Sequence, residues 1–157
     1  MLKITILALG KIKNNDFKNS FNEYLKRVSP YANVIVEELN PESFFDNSDK
    51  EKIKQKEGVR IKNYLDRFPT SKIFILDERG KEADSLAFSK LLFENELENI
   101  IFVVGGTLGF SKEILAHKNT FKVSLSKLTF PHELARVILA EQIYRAIAIS
   151  KNKSYHY

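Results

Sequence analysis

Apolar residues along this chain follow two alternating rhythms. Short runs of apolar and β-branched side chains occupy residues 2–9, 34–39, 73–76, 100–104 and 121–125, and such runs read as strands. Between them the apolar positions take helical spacing. Residues 16–28 set Phe17, Phe21, Tyr24, Leu25 and Val28 on one face, and residues 50–68 carry Ile53, Val59, Ile61, Tyr64 and Leu65 among charges. Residues 84–97 begin at a capping aspartate, Asp84, and distribute Leu86, Phe88, Leu91, Leu92 and Phe93 around a helix, while residues 111–117 form a shorter one. This alternation predicts an α/β fold with a mainly parallel sheet and helices on both faces. No internal repeat or linker interrupts it, so a single domain over residues 1–157 is expected. The loosest connection is 41–49.

The final helical pattern, 131–149, differs from the others. Pro131 suits its first turn and Thr129 is placed to cap it. Leu134, Val137, Ile138, Leu139, Ile143, Tyr144, Ile147 and Ile149 surround most of the axis, which predicts burial on two sides. A sheet covers only one. A second copy of the chain is the simplest cover for the other, so a homodimer is expected over a lone central helix.

Composition removes several chemistries. There is no cysteine, hence no disulfide, thiolate zinc site or thiolate nucleophile. The formal net charge of +5 is compatible with a polyanionic partner or with solvation alone. No apolar run approaches the roughly 20 residues that would span a bilayer, and the opening run lacks a small-residue cleavage site. A soluble, cytoplasmic protein is expected.

Candidate chemistry gathers in the last third, which holds all three histidines, His117, His132 and His156. Gly105-Gly106-Thr107-Leu108-Gly109 follows an apolar run and lets backbone approach a ligand at the carboxyl end of a strand. It has neither the G-x-G-x-x-G spacing nor a phosphate-loop lysine, and read alone it is also an ordinary strand-to-helix turn. Leu76-Asp77-Glu78-Arg79-Gly80-Lys81 and the stretch from Ser124 to Phe130 also end strands. Three strand ends are thereby expected to converge on one pocket. On the last helix Glu141 and Arg145 have the spacing and order of an ion pair, which leaves Arg145 open as a structural partner or a substrate contact. His132 and Arg136 share a face there, and for His132, at a helix N-terminus where it can hydrogen-bond to backbone, a structural role is expected.

Together these motifs resemble one family. Leu76 to Lys81, Phe102-Val103-Val104-Gly105-Gly106-Thr107-Leu108-Gly109, Leu125-Ser126-Lys127-Leu128-Thr129-Phe130-Pro131-His132, Ala140-Glu141-Gln142-Ile143-Tyr144-Arg145-Ala146 and Tyr155-His156 are similar to the bacterial ribosomal RNA large subunit methyltransferase H family, essentially end to end. The resemblance implies a SPOUT-type fold with a C-terminal trefoil knot, a homodimer, and S-adenosylmethionine as cofactor. It places cofactor contacts at Leu76, Gly105 and Gly106, and at Leu125, Ser126, Lys127, Leu128, Thr129 and Phe130. The implied reaction is methylation of N3 of a pseudouridine in 23S ribosomal RNA of the assembled ribosome, with no metal and no membrane involved.

A sulfonium donor is already electrophilic, so such an enzyme mainly aligns the methyl with the ring nitrogen and helps remove its proton. The absence of cysteine argues against carbon-5 methylation through a thiolate adduct. Arg145 is expected to stabilise negative charge on the base, with Tyr155 and His156 positioning it or accepting its proton. Read without the resemblance, Tyr155 and His156 are a frayed terminus. Tyr157 stands where relatives often carry a basic residue. A nucleotide-binding module without transfer activity, or a non-catalytic ribosome-binding protein, are the competing readings.

Overall fold

A computed structural model describes residues 1–43, 45, 49–93 and 98–156. Five parallel strands form one sheet: β1 (Leu2–Leu9), β2 (Ala32–Leu39), β3 (Lys72–Glu82), β4 (Asn99–Val104) and β5 (Thr120–Ser124), in the order β2-β1-β4-β3-β5. The helices are α1 (Asn15–Val28), α2 (Lys50–Leu65), α3 (Ser85–Phe93), α4 (Lys112–Leu115) and α5 (His132–Ser150). The predicted α/β sheet with both faces covered is what forms.

The two faces have separate cores. Ile4, Ile6, Ala8, Phe74, Ile100, Phe102 and Val104 point to the side that packs against α1, α3 and α5. Their alternates Leu7, Leu9, Ile73, Ile75, Ile101 and Val103 meet Ile61, Tyr64 and Leu65 of α2 and Ile114 of α4. Because successive side chains of a strand point to opposite faces, burial on both sides demands continuous apolar runs such as 73–76 and 100–104 of the central strands.

Helix ends follow local chemistry. The Asn14 side chain accepts hydrogen bonds from the Asp16 and Phe17 N–H groups and starts α1. Asp49 caps α2 through the Lys52 N–H, and Asp84 Oδ1 accepts from the Ala87 N–H at α3. Thr129 does not cap α5. Pro131 takes that place without a side-chain hydrogen bond, and the Thr129 hydroxyl bonds to Glu78 instead. On α2 the inward positions are Ile53, Glu57, Gly58, Ile61, Tyr64 and Leu65, whereas Val59 is exposed; Leu86 of α3 is also exposed. The predicted end of α3 at 94–97 and parts of the 41–49 connection lie outside the described residues.

The last helix is buried differently from the expectation. Leu139, Ala140, Ile143, Ala146 and Ile147 face the sheet, and α5 lies between α1 and α3, where Val137 and Tyr144 also pack. Neighbouring helices therefore cover its flanks within one chain. What stays half-buried outside both cores is Leu134, Ile138 and Ile149. Its first turn is tied down by two charged groups. Glu133 Oε1 accepts from the Lys13 and Asn14 N–H groups, and the buried Arg136 donates to the Gly10 carbonyl at 2.5 Å and faces Glu38 at 3.4 Å. Two backbone donors hold the Glu133 carboxyl below its usual pKa.

β3 runs further than its apolar pattern. Leu76 and Lys81 both pair with Val123 of β5, so residues 77–80 loop out between them. A methyl on Gly80 would lie 2.8 Å from β5 backbone atoms, and that backbone cannot yield. Gly80→Ala is expected to destabilise the fold by about 1 to 3 kcal/mol, read from urea unfolding; an unchanged midpoint contradicts the packing described.

Candidate active site

The three strand ends singled out in the sequence meet in one cleft. Its walls are residues 76–79 after β3, 104–110 after β4, and Leu125, Ser126 and 128–132 before and into α5. A volume of about 640 Å³ suits a small-molecule ligand. A larger, shallower groove lies at the opposite end of the sheet, beside Met1, Lys26 and Asn99; it has none of the glycine turns and is not the candidate.

Each wall has a local cause. The loop 77–80 is held as a turn by Asp77 Oδ1, which accepts from the Arg79 N–H at 2.9 Å. Ser126 Oγ accepts from the Leu128 N–H at 3.0 Å, and Thr129 donates to Glu78, joining two walls. Gly105 lies against the Phe110 ring, where an added methyl would be 2.9 Å from the ring carbon. Gly106 faces Leu9 and the Glu57 carboxylate, and a methyl there meets only ordinary contacts of 3.5 to 3.7 Å.

Glu57 is a residue the sequence reading missed. It is 5% exposed and supports the Gly106 turn from below. Burial raises its pKa above the usual glutamate value, partly offset by the Glu42 N–H and by Arg60. The signal was present: an acid sits at the apolar phase of α2, four residues from Ile53 and four from Ile61. Glu57 and Leu9 occupy the crevice between the diverging ends of β1 and β4, where open α/β sheets commonly bind ligands. The open cleft is displaced toward β3 and β5.

Leu76, Gly105, Gly106, Leu125, Ser126, Leu128, Thr129 and Phe130 all line this cleft. Lys127 does not: its side chain is 85% exposed and its ammonium faces Glu82 at 3.7 Å. His132 lines the cleft at the start of α5.

Arg145, Tyr155 and His156 form a second cluster. The chain doubles back after α5, and the Tyr155 ring meets Tyr144 edge-on at 4.8 Å between centroids. Arg145 Nε donates to Glu141 Oε1 at 2.9 Å, the Tyr155 hydroxyl donates to the same oxygen at 3.2 Å, and the Arg145 guanidinium lies 4.8 Å from the Tyr155 ring centre. Arg145 Nη1 donates to His156 Nδ1 at 3.3 Å, which requires the imidazole tautomer with its proton on Nε2. The tail is therefore docked, not frayed; Tyr157 lies outside the described residues. The cluster is not at the cleft. Arg145 is 13 residues along α5 from His132, roughly 20 Å at helical rise.

Burial, with help from Tyr24 and Glu141, pushes the Tyr155 phenol up to about 12. It therefore stays protonated at neutral pH.

Parallel α/β topology and a glycine-walled cleft fed by three carboxyl-end loops define a class, and sequence comparison states which. The family described as "Predicted SPOUT methyltransferase" matches residues 2–156. Proteins named "Ribosomal RNA large subunit methyltransferase H" from Carboxydothermus hydrogenoformans, Clostridium novyi and Clostridium kluyveri are 41%, 44% and 40% identical to this chain, each over 99% of both proteins. The chain belongs to this family of SPOUT methyltransferases, enzymes that take their methyl group from S-adenosylmethionine.

Two measurements test the site. Gly105→Ala is expected to displace Phe110 and weaken S-adenosylmethionine binding about tenfold in calorimetry, while Gly106→Ala stays within about twofold because its methyl has room; equal effects contradict the geometry. For Tyr155 the protonated form is favoured in the folded chain, so its contribution to stability is complete below pH 10.0 and is lost as pH rises to about 12. Near-ultraviolet titration of Tyr155→Phe is expected to show one late-ionising phenol fewer, the buried Tyr64 remaining as another, and an unaltered high-pH limb counts against that environment.

Proposed function

We propose that this chain methylates N3 of a pseudouridine in 23S ribosomal RNA, acting on the assembled ribosome in the cytoplasm. The supporting observation is likeness over essentially the whole length to proteins named ribosomal RNA large subunit methyltransferase H. The cleft suits the cofactor: Leu76, Gly105, Gly106, Leu125, Ser126, Leu128, Thr129 and Phe130 surround a volume of fitting size, and at Gly105 a side chain would intrude on Phe110. When bound, the cofactor supplies an electrophilic methyl group.

This chain's residues divide the remaining work. The Arg145 guanidinium stabilises negative charge developing on the base. Tyr155, kept protonated, and His156, with Nε2–H directed outward from its bond to Arg145, orient the base by hydrogen bonding. Proton removal falls to His156 once Arg145 turns from Nδ1 to the substrate.

One chain separates cleft and tail by most of the length of α5, so the active form is a homodimer. Two α5 helices paired antiparallel through Leu134 and Ile138 set each tail beside the partner's cleft and cover the residual apolar stripe. The chain forms one SPOUT unit over residues 1–157, its C-terminal part threaded as a trefoil knot. Return of the chain from the β5 edge to a place between α1 and α3 supports that threading.

The test is transfer of labelled methyl from S-adenosylmethionine to ribosomes from a strain lacking this protein, with mapping of the labelled nucleotide. Label on one 23S pseudouridine is expected; label elsewhere, or none, overturns the substrate. In the same assay His156→Ala is expected to lower turnover about 100-fold with cofactor affinity unchanged, and an unaltered rate removes its role.

A further inference from the structure

The lower end of α1 and α5, away from the cleft, carries interleaved cations and aromatic rings; Tyr24 and Tyr144 also pack at the Tyr155 cluster, whereas Lys151, Lys153 and Tyr31 have no part in it. α5 ends in a tight turn: the Lys151 and Asn152 N–H groups bond to Ile147 and Ile149 carbonyls, the Lys153 N–H returns to Ala148 at 2.8 Å, and Asn152 takes a left-handed φ of 52°. Such a turn presents its side chains rigidly. Both lysines converge on Tyr31. The Lys153 ammonium lies 4.2 Å from the ring centre and donates to the Tyr31 hydroxyl, and the Lys151 ammonium lies at 5.8 Å. The ring is anchored on the core beneath. Lys26 and Arg27 lie in the last turn of α1, and the Arg27 guanidinium lies 5.4 Å from Tyr24 and 5.9 Å from Tyr144.

Among the described residues Glu23 is the sole carboxylate paired with any of these four cations, through Arg27. The favourable effect of cations at a helix C-terminus explains attraction of lysines to the end of α5. It does not explain why both lie on a tyrosine and not on the terminal carbonyls. Cations held over aromatic rings lose less freedom on meeting an anion, and alternation of rings with Lys and Arg is how proteins follow nucleic-acid backbone and unstacked bases.

We infer that Lys151, Lys153 and Tyr31 form a docking surface for the phosphodiester backbone of RNA, flanking the catalytic tail. It rests on the reading of the substrate given above and adds a contact outside the cleft and the Arg145 cluster. Lys153 stands two residues before Tyr155, so backbone held there is adjacent to the nucleotide presented to the tail.

The test uses the full chain with protein-free 23S ribosomal RNA and with ribosomes, in filter binding across a salt series. For Lys151→Ala/Lys153→Ala, affinity for both is expected to fall about tenfold near 0.1 M salt, with the slope of log affinity against log salt shallower by about 1.4 to 2. Methyl transfer should show a raised KM with kcat unchanged, and calorimetry an unchanged S-adenosylmethionine affinity. Lys151→Arg/Lys153→Arg is expected to restore the slope, which a merely structural role would not require. An unchanged slope overturns the proposal, and so does loss of affinity for ribosomes alone, which assigns the surface to a ribosomal protein. If wild-type protein binds RNA with a slope these lysines control but methylates no 23S nucleotide, the docking surface stands and the substrate reading falls. Methylation with an insensitive slope gives the reverse.

Discussion

Burial of α5 in the groove between α1 and α3 is the interaction on which the rest depends. Leu139, Ala140, Ile143, Ala146 and Ile147 complete the core over β1, β4 and β3, and the same helix borders the cleft at one end and the Arg145 cluster at the other. Its first turn is part of the cleft wall; its outer face receives the returning tail. Glu133 and Arg136 hold the first turn to the Gly10–Asn14 segment. Arg136 is 1% exposed, and a buried guanidinium is tolerable only because carbonyl oxygens and Glu38 face it. Burial lowers its pKa while Glu38 opposes that shift.

Electrostatics divide the molecule along that helix. At the upper end, Asp77, Glu78, Arg79 and His132 line a cleft framed by backbone, with Arg79 paired to Asp77. At the lower end, Arg145, Arg27, Lys151 and Lys153 stand among four tyrosines. A neutral-to-acidic pocket and a basic, aromatic tail suit two different ligands. Inside one chain the length of α5 keeps them apart, roughly 20 Å at helical rise.

Sequence and structure agree where local chemistry decides. Strand β1 ends as predicted because its apolar run Ile6 to Leu9 meets the turn at Gly10, whose φ is 82°, and α3 starts where Asp84 caps it. They part where a long-range partner decides. Asp77 to Gly80 reads as a strand end, yet β5 recaptures the chain at Lys81. Thr129 reads as a helix cap, yet Glu78 claims its hydroxyl. Val59 belongs to the apolar pattern of α2 yet is exposed, while Glu57 and Gly58 take the buried phase because α4 and the Gly106 turn approach that face.

The sequence by itself determined the α/β class, the three glycine-marked or polar strand ends, and the identity of the residues at the tail. These are consequences of periodicity, of glycine's missing side chain and of motif spacing, all carried by neighbours in the chain. Tertiary structure alone decided that Lys127 turns away from the cleft, that Arg136 and Glu57 are buried supports, and that Tyr155 is held as a neutral phenol. It also separated the tail cluster from the cleft by the length of α5. Each of these depends on burial and on groups distant in sequence, which no local pattern encodes.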